Sequence, residues 1–70
     1  MNRDVDPSSG VVAIGYDPPT QTLEVEFLKG SVYQYYGVPK HMYENIMQAP
    51  SKGGFLNTYI KDSYPYSRVG

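Results

Sequence analysis

The apolar pattern of this chain changes its period once, beside Pro39. Before that point apolar side chains recur at every second position, the repeat of a strand with one covered face. After it they recur in adjacent pairs four residues apart, the stripe of an amphipathic helix. A chain with that order folds strands first and helices second, which is the signature of an α+β domain.

The alternation is cleanest in TLEVEFL, where Leu23, Val25 and Phe27 face one way and Thr22, Glu24 and Glu26 the other. That is a half-buried antiparallel strand. SGVVAIGYD alternates less cleanly, with Val12, Ile14 and Tyr16 on one face and Val11, Ala13 and Gly15 on the other. Between the two, DPPT stops pairing, because its prolines lack N–H donors and hold fixed backbone angles. LKGS supplies a glycine turn into a third strand, SVYQYYG. There Tyr33 and Tyr35 share a face, and Val32, Gln34 and Tyr36 share the other.

GVPKHMYENIMQAP reads as a helix with Pro39 in its first turn, where a missing N–H costs little. Its stripe is Met42, Tyr43, Ile46 and Met47, and Pro50 ends it. Ser51 then caps a second helix, KGGFLNTYIKD, with a stripe of Phe55, Leu56, Tyr59 and Ile60. Gly53 and Gly54 weaken its first turn by about 1 kcal/mol each relative to alanine. The expected architecture is a three-stranded antiparallel meander covered by two short C-terminal helices, β-β-β-α-α. Residues 1–8 form a flexible leader and residues 62–70 an extended tail.

A chain of 70 residues holds one domain at most and sits near the lower limit for folding on a single apolar core. It has no cysteine and a single histidine, so neither a disulfide nor a zinc site can staple it. Val, Ile, Leu and Phe together make only fifteen of the 70 residues, and eight tyrosines supply the missing bulk. A small chain with many rings gains burial by pairing, so a homo-oligomer is expected. No apolar run approaches a membrane span, and MNRDVDPSSG is too acidic and polar for a signal peptide. The expectation is a soluble cytoplasmic protein with no membrane partner.

Formal net charge is −1 and the isoelectric point about 5.6, which disfavours indiscriminate binding to a phosphate backbone. The charge is uneven. Residues 1–35 set Arg3 and Lys29 against five carboxylates, whereas residues 36–70 set Lys40, Lys52, Lys61 and Arg68 against Glu44 and Asp62. An anionic ligand is expected on the second half.

The ordered series VDPSSGVVAIGYD, TLEVEF, VYQYYGVP, APSKGGFLN and YIKDSYPYSRV resembles the KTSC domain from about residue 5 to residue 69. Tyr33 and Tyr35 match that family's central Y-x-Y, Ser51, Lys52, Gly53 and Asn57 its S-K-G…N segment, and Ile60 with Lys61 its following pair. The domain is found alone in bacterial and phage proteins and at the C-terminus of some lysyl-tRNA synthetases. The resemblance implies no particular reaction. It suggests RNA binding through the synthetase setting, and sequestration of small nucleotide signals through the phage setting.

Two groups of residues carry the functional reading. Tyr33 and Tyr35 are read first as rings packed under the helices, with a stacking platform for bases as the alternative. Tyr36, on the opposite face, is then the more exposed ring. In APSKGGFLN, Ser51 as cap leaves the Gly53 and Gly54 N–H groups pointing outward, and Lys52 adds a charge; helix starts of this kind hold phosphate. Asn57, Lys61 and Arg68 are candidates to extend that site. The Walker A spacing is absent. His41 has only Glu44 near it, and Asp4, Asp6 and Asp17 lack metal-loop spacing, so neither a catalytic triad nor a metal centre is expected. The reading is a non-enzymatic binding protein without a cofactor. Its ligand is a small nucleotide or, alternatively, RNA. A protein-interaction module with no nucleotide ligand is the remaining alternative.

Overall fold

The structure, a computed structural model, describes residues 10–70; the expected leader, residues 1–8, lies outside the described residues. Three strands come first: β1 (Val11–Asp17), β2 (Thr22–Phe27) and β3 (Val32–Tyr35). Two helices follow, α1 (Lys40–Gln48) and α2 (Lys52–Phe55), and α2 runs directly into a π-wound stretch, Leu56–Ile60. The chain closes with β4 (Tyr66–Arg68). All pairings are antiparallel, and the sheet order is β1-β2-β3-β4.

The fourth strand corrects the expected three-stranded meander with an extended tail. Tyr33 stands opposite Arg68, Gln34 opposite Ser67 and Tyr35 opposite Tyr66. The reason lies in β3. Without β4 its outer N–H and C=O groups would have no partner beside a buried ring, a costly arrangement. The tail supplies that ladder from Pro65, whose carbonyl accepts from the Tyr36 N–H at 2.9 Å, to Val69, whose N–H donates to the Val32 carbonyl at 2.7 Å.

The turns follow their chemistry. Gly30, at φ 94°, closes the β2–β3 hairpin, its N–H donating to the Phe27 carbonyl at 2.8 Å. Gly37, at φ 72°, turns the chain out of β3. Pro39 is the N-cap of α1 rather than a member of its first turn, and its carbonyl accepts from the Met42 N–H at 3.0 Å. Ala49 is extended, as the residue before a proline must be, and α1 stops there.

The core is Leu23, Val25, Tyr35, Val38, Ile46, Leu56 and Ile60. These residues join β2, β3, α1 and the π-wound stretch, with Val38 from the loop before α1, and each fully buried aliphatic side chain contributes about 1.5–3 kcal/mol. Three stripe positions depart from the expected pattern. Met47 and Tyr59 face solvent, because helices this short present only their nearest positions to a narrow sheet. Val12 is also exposed: the register shifts between Val11 and Ala13, which sets Val11 opposite Phe27 and displaces Val12 from the covered row. No helix among the described residues is long and apolar enough to cross a membrane.

Candidate functional site

The register fixes what each sheet face carries. On the helix-covered face, Ile14 and Tyr16 of β1 stand opposite Val25 and Leu23, these stand opposite Tyr33 and Tyr35, and those opposite Arg68 and Tyr66. The open face carries Ala13 opposite Glu26, Gly15 opposite Glu24, and Gln34 between Glu24 and Ser67. The sheet therefore separates charge. Glu24 and Glu26 occupy one side, while Lys40, Lys52, Lys61 and Arg68 belong to the helix layer and the covered face of β4, together with Glu44 and Asp62.

On the covered face the rings form a continuous row at the β3–β4 end. Phe27 meets Tyr33 edge-on at 5.7 Å between centroids, Tyr33 lies 5.8 Å from Tyr66, and Tyr66 lies 5.6 Å from Tyr35. The members differ in burial. Tyr35 is 4% exposed, Tyr33 is half-buried, and Tyr66 is 55% exposed. Burial, with Tyr33 and Tyr66 alongside, raises the Tyr35 hydroxyl above the ordinary tyrosine pKa of 10.0. A neutral phenol in an apolar cluster resists ionisation for that reason. Arg68 brings a guanidinium to the same face, opposite Tyr33, and its Nε donates to the Gly70 carbonyl at 2.9 Å.

Tyr36 lies apart from this row. It is half-buried, and its hydroxyl donates to Gln34 Oε1 at 3.3 Å, while Gln34 Nε2 donates to Glu24 Oε1 at 2.9 Å. Both bonds belong to the acidic face.

The start of α2 is built as a capped turn. Ser51 accepts from the Gly54 N–H at 3.0 Å, and the Phe55 N–H donates to the Ser51 carbonyl at 3.0 Å. This corrects the expectation that the Gly54 amide points outward unpaired: the cap itself takes it. Gly53 is buried. Gly54 must stay small for the cap's sake, since a Cβ there would lie 2.8 Å from Ser51 Oγ. Lys52 is half-buried at the helix start. Asn57 and Lys61 are exposed along the π-wound stretch, which the Lys61 N–H closes on the Leu56 carbonyl at 2.8 Å.

The structure thus gathers the candidates in two groups. Tyr33, Tyr35 and Arg68 meet through the β3–β4 ladder; Ser51, Lys52, Gly53 and Gly54 form the α2 turn, with Asn57 and Lys61 downstream. Tyr66 is the residue that sequence reasoning passed over, because it lay in a tail with no assigned pairing. The alternation of Tyr64, Tyr66 and Arg68 was the available signal. A shallow depression of about 440 Å³ on the open face, lined by Gly15, Tyr16, Asp17, Thr20, Thr22, Glu24 and Gln34, was also not anticipated. Thr20 donates there to Asp17 Oδ2 at 2.6 Å. With Asp17 and Glu24 in its lining, it is a poor place for an anion.

The KTSC domain profile matches residues 7–64 of the 70. The chain belongs to the KTSC domain family. A KTSC domain protein from Yersinia pestis has a crystal structure that superposes with a TM-score of 0.82 at 41% identity, covering 89% of this chain and 87% of that one. A protein from Stutzerimonas stutzeri (strain A1501) is 39% identical over 70 residues, along 99% of both chains. A lysine–tRNA ligase from Nostoc sp. (strain PCC 7120 / SAG 25.82 / UTEX 2576) is 41% identical over 61 residues. That match takes in 87% of this chain but only 11% of the ligase, so the chain spans about a ninth of that enzyme's length. The family match ends before β4, so Tyr66 and Arg68 lie outside the matched residues.

Proposed function

We propose that this KTSC domain is a non-enzymatic binding module for single-stranded RNA, held on the helix-covered side of the sheet at the β3–β4 end. The observation that carries the reading is the coincidence of an open ring and a guanidinium on one sheet face. Tyr66 is exposed beside Tyr33, and Arg68 stands opposite Tyr33 in register. Bases stack on such rings for about 1–3 kcal/mol each, with little sequence preference. On this reading Arg68 meets a phosphate of the stacked strand, and Lys52 and Lys61 belong to the same layer. The carboxylates that lower the isoelectric point, Glu24 and Glu26, lie across the sheet. An overall acidic chain thereby keeps a side that tolerates a phosphate backbone. The kinship with lysine–tRNA ligases supports an RNA ligand.

Fluorescence anisotropy with short labelled RNA strands tests this. Affinity falls with salt along a slope of about 0.7 per phosphate neutralised, the behaviour of single strands. Arg68→Ala lowers both the affinity and that slope. Mononucleotides and cyclic dinucleotides run in parallel. Tight, weakly salt-dependent binding of one of them would replace RNA with a small nucleotide ligand. No response to any of these ligands would leave the ring row to a protein partner.

A further inference from the structure

The two edges of the sheet are protected very differently. β4 has three residues, follows Pro65 and carries Arg68, which are the devices that keep an edge from pairing further. β1 has seven residues, and residues 11–16 contain no charge and no proline. Its register irregularity is confined to Val11–Ala13, so Ala13–Asp17 is regular strand. No described residue pairs with its outer side.

The ladder says which groups that side presents. The Phe27 N–H donates to the Ser31 carbonyl across the β2–β3 hairpin, and the Leu28 N–H donates to the Gly10 carbonyl. Alternation then turns Glu24 and Glu26 toward β1, and with them their opposites Gly15 and Ala13 toward β2. Ile14 and Tyr16 are left with N–H and C=O directed outward.

We infer that β1 is a docking edge for the β1 of a second copy of this chain, paired antiparallel about a twofold axis at Gly15. The regular stretch has Gly15 at its centre. Pairing there sets Ile14 opposite Tyr16 twice, so each copy's outward groups meet the other's. Gly15 faces Gly15, and a Cβ built there meets nothing within 4 Å, so the axis is uncrowded. Ala13 faces Asp17, which avoids any like-charge pair. Val12, 51% exposed, comes against the Pro18 turn of the other copy.

The self-complementary register favours a second copy, since each strand's outward groups meet the same groups of the other, and charge does not oppose it. β1 itself carries one carboxylate, Asp17 at its end, which falls opposite Ala13 of the other copy, while Glu24 and Glu26 lie one strand away. Across β2-β1-β1-β2 they are separated from their counterparts by three strand spacings, about 14 Å. That exceeds a Debye length of about 8 Å at physiological salt. The uncharged Val11–Tyr16 stretches of the two β1 strands thus act as the spacer that lets the Glu24 and Glu26 rows lie side by side. In-sheet pairing also keeps both helix layers on one side. The eight-stranded dimer preserves the charge separation seen in one copy.

The chain lacks cysteine, so one introduced thiol reports cleanly. Residues opposed at a non-hydrogen-bonded antiparallel position have Cα atoms about 4.5 Å apart, within disulfide range. Gly15→Cys is expected to give a covalent dimer under mild oxidation, and Ser67→Cys, on β4, is not. Light scattering of the unmodified chain is expected to give twice 7.9 kDa at tens of micromolar, with slow exchange at the Ile14 and Tyr16 amides that speeds on dilution. A dimer with no Gly15→Cys crosslink, or with equal crosslinking through Ser67→Cys, overturns the assignment. If Gly15→Cys does not fold, exchange in the unmodified chain decides. Monomeric chain whose Ile14 and Tyr16 amides exchange freely overturns the proposal and leaves the edge to a strand from another protein. Monomeric chain with those amides protected also overturns it, since the edge is then covered from within.

Discussion

Two groups of tyrosines over one sheet face are used in opposite ways. At the β1 side, Tyr16 stacks on Tyr43 of α1 with centroids 4.9 Å apart and planes only 10° from parallel. Its hydroxyl donates to the Val38 carbonyl at 2.6 Å. Ring and hydroxyl are both committed, and together they tie β1 to the start of α1. At the β4 side, Tyr66 touches Tyr33 and Tyr35 only at tilted angles and keeps most of its surface in water. Its hydroxyl bonds to no described residue. A tyrosine whose ring face and hydroxyl are both taken is structural. One with an open face remains available for a ligand.

The comparison breaks most severely through the ring between these extremes. Tyr35→Ala removes a buried side chain from the centre of the core and is expected to cost about 3 kcal/mol or more. In a domain with about 5–15 kcal/mol of stability that is a large share. Urea unfolding measures it. A loss below 1 kcal/mol would mean the core does not close over Tyr35. The same ring gives the domain an alkaline limit. Its pKa is higher folded than unfolded, so the folded state holds the proton more tightly. The corresponding stability is complete below the unfolded value of about 10 and is lost as pH rises from there through the folded value. Tyr35→Phe is expected to flatten that alkaline decline, read as melting temperature against pH above 9.

A milder change separates ring from hydroxyl on the structural side. Tyr16→Phe keeps the stack on Tyr43 but leaves the Val38 carbonyl without its donor. The expected loss is about 1 kcal/mol by urea unfolding, with RNA affinity unchanged. A shift in RNA affinity would erase the distinction between the two sides.

How much of this was legible follows from where the information lies. TLEVEF showed its covered face at once, because every apolar residue falls on one parity and every carboxylate on the other. The Ser51 cap was equally plain, since a serine after a proline and before a helical stripe has one obvious use. Tyr33 and Tyr35 were placed on the Leu23–Val25 face by the same parity, and the register sets them there. Residues 66–68 were not read as a strand, because the alternation of Tyr64, Tyr66 and Arg68 is short and broken by Pro65. Their pairing is decided by the unpaired side of β3, a tertiary demand. Val12 misled for a related reason: a one-residue bulge reverses parity, and no local residue announces it. The Gly54 amide was expected to be free because the cap was read without following where its hydrogen bond ends.

The smallest stability effect is the one that sharpens the comparison most. Tyr66 is exposed, sits in a three-residue edge strand and contributes its backbone, not its ring, to the β3 ladder. Tyr66→Ala is therefore expected to change stability by no more than about 0.5 kcal/mol, as exposed positions generally do. If the open ring stacks a base, the same substitution removes about 1–3 kcal/mol of binding, a loss of about 5- to 150-fold in RNA affinity. Tyr66→Phe separates stacking from hydrogen bonding, because it keeps the π-face and drops only the hydroxyl. It should restore most of the affinity. Measured side by side by anisotropy, the order unmodified, then Tyr66→Phe, then Tyr66→Ala supports a stacking surface. Equal loss in both variants would assign the contact to the hydroxyl. Equal affinity in all three would take Tyr66 out of the binding surface and move the ligand away from the β3–β4 end.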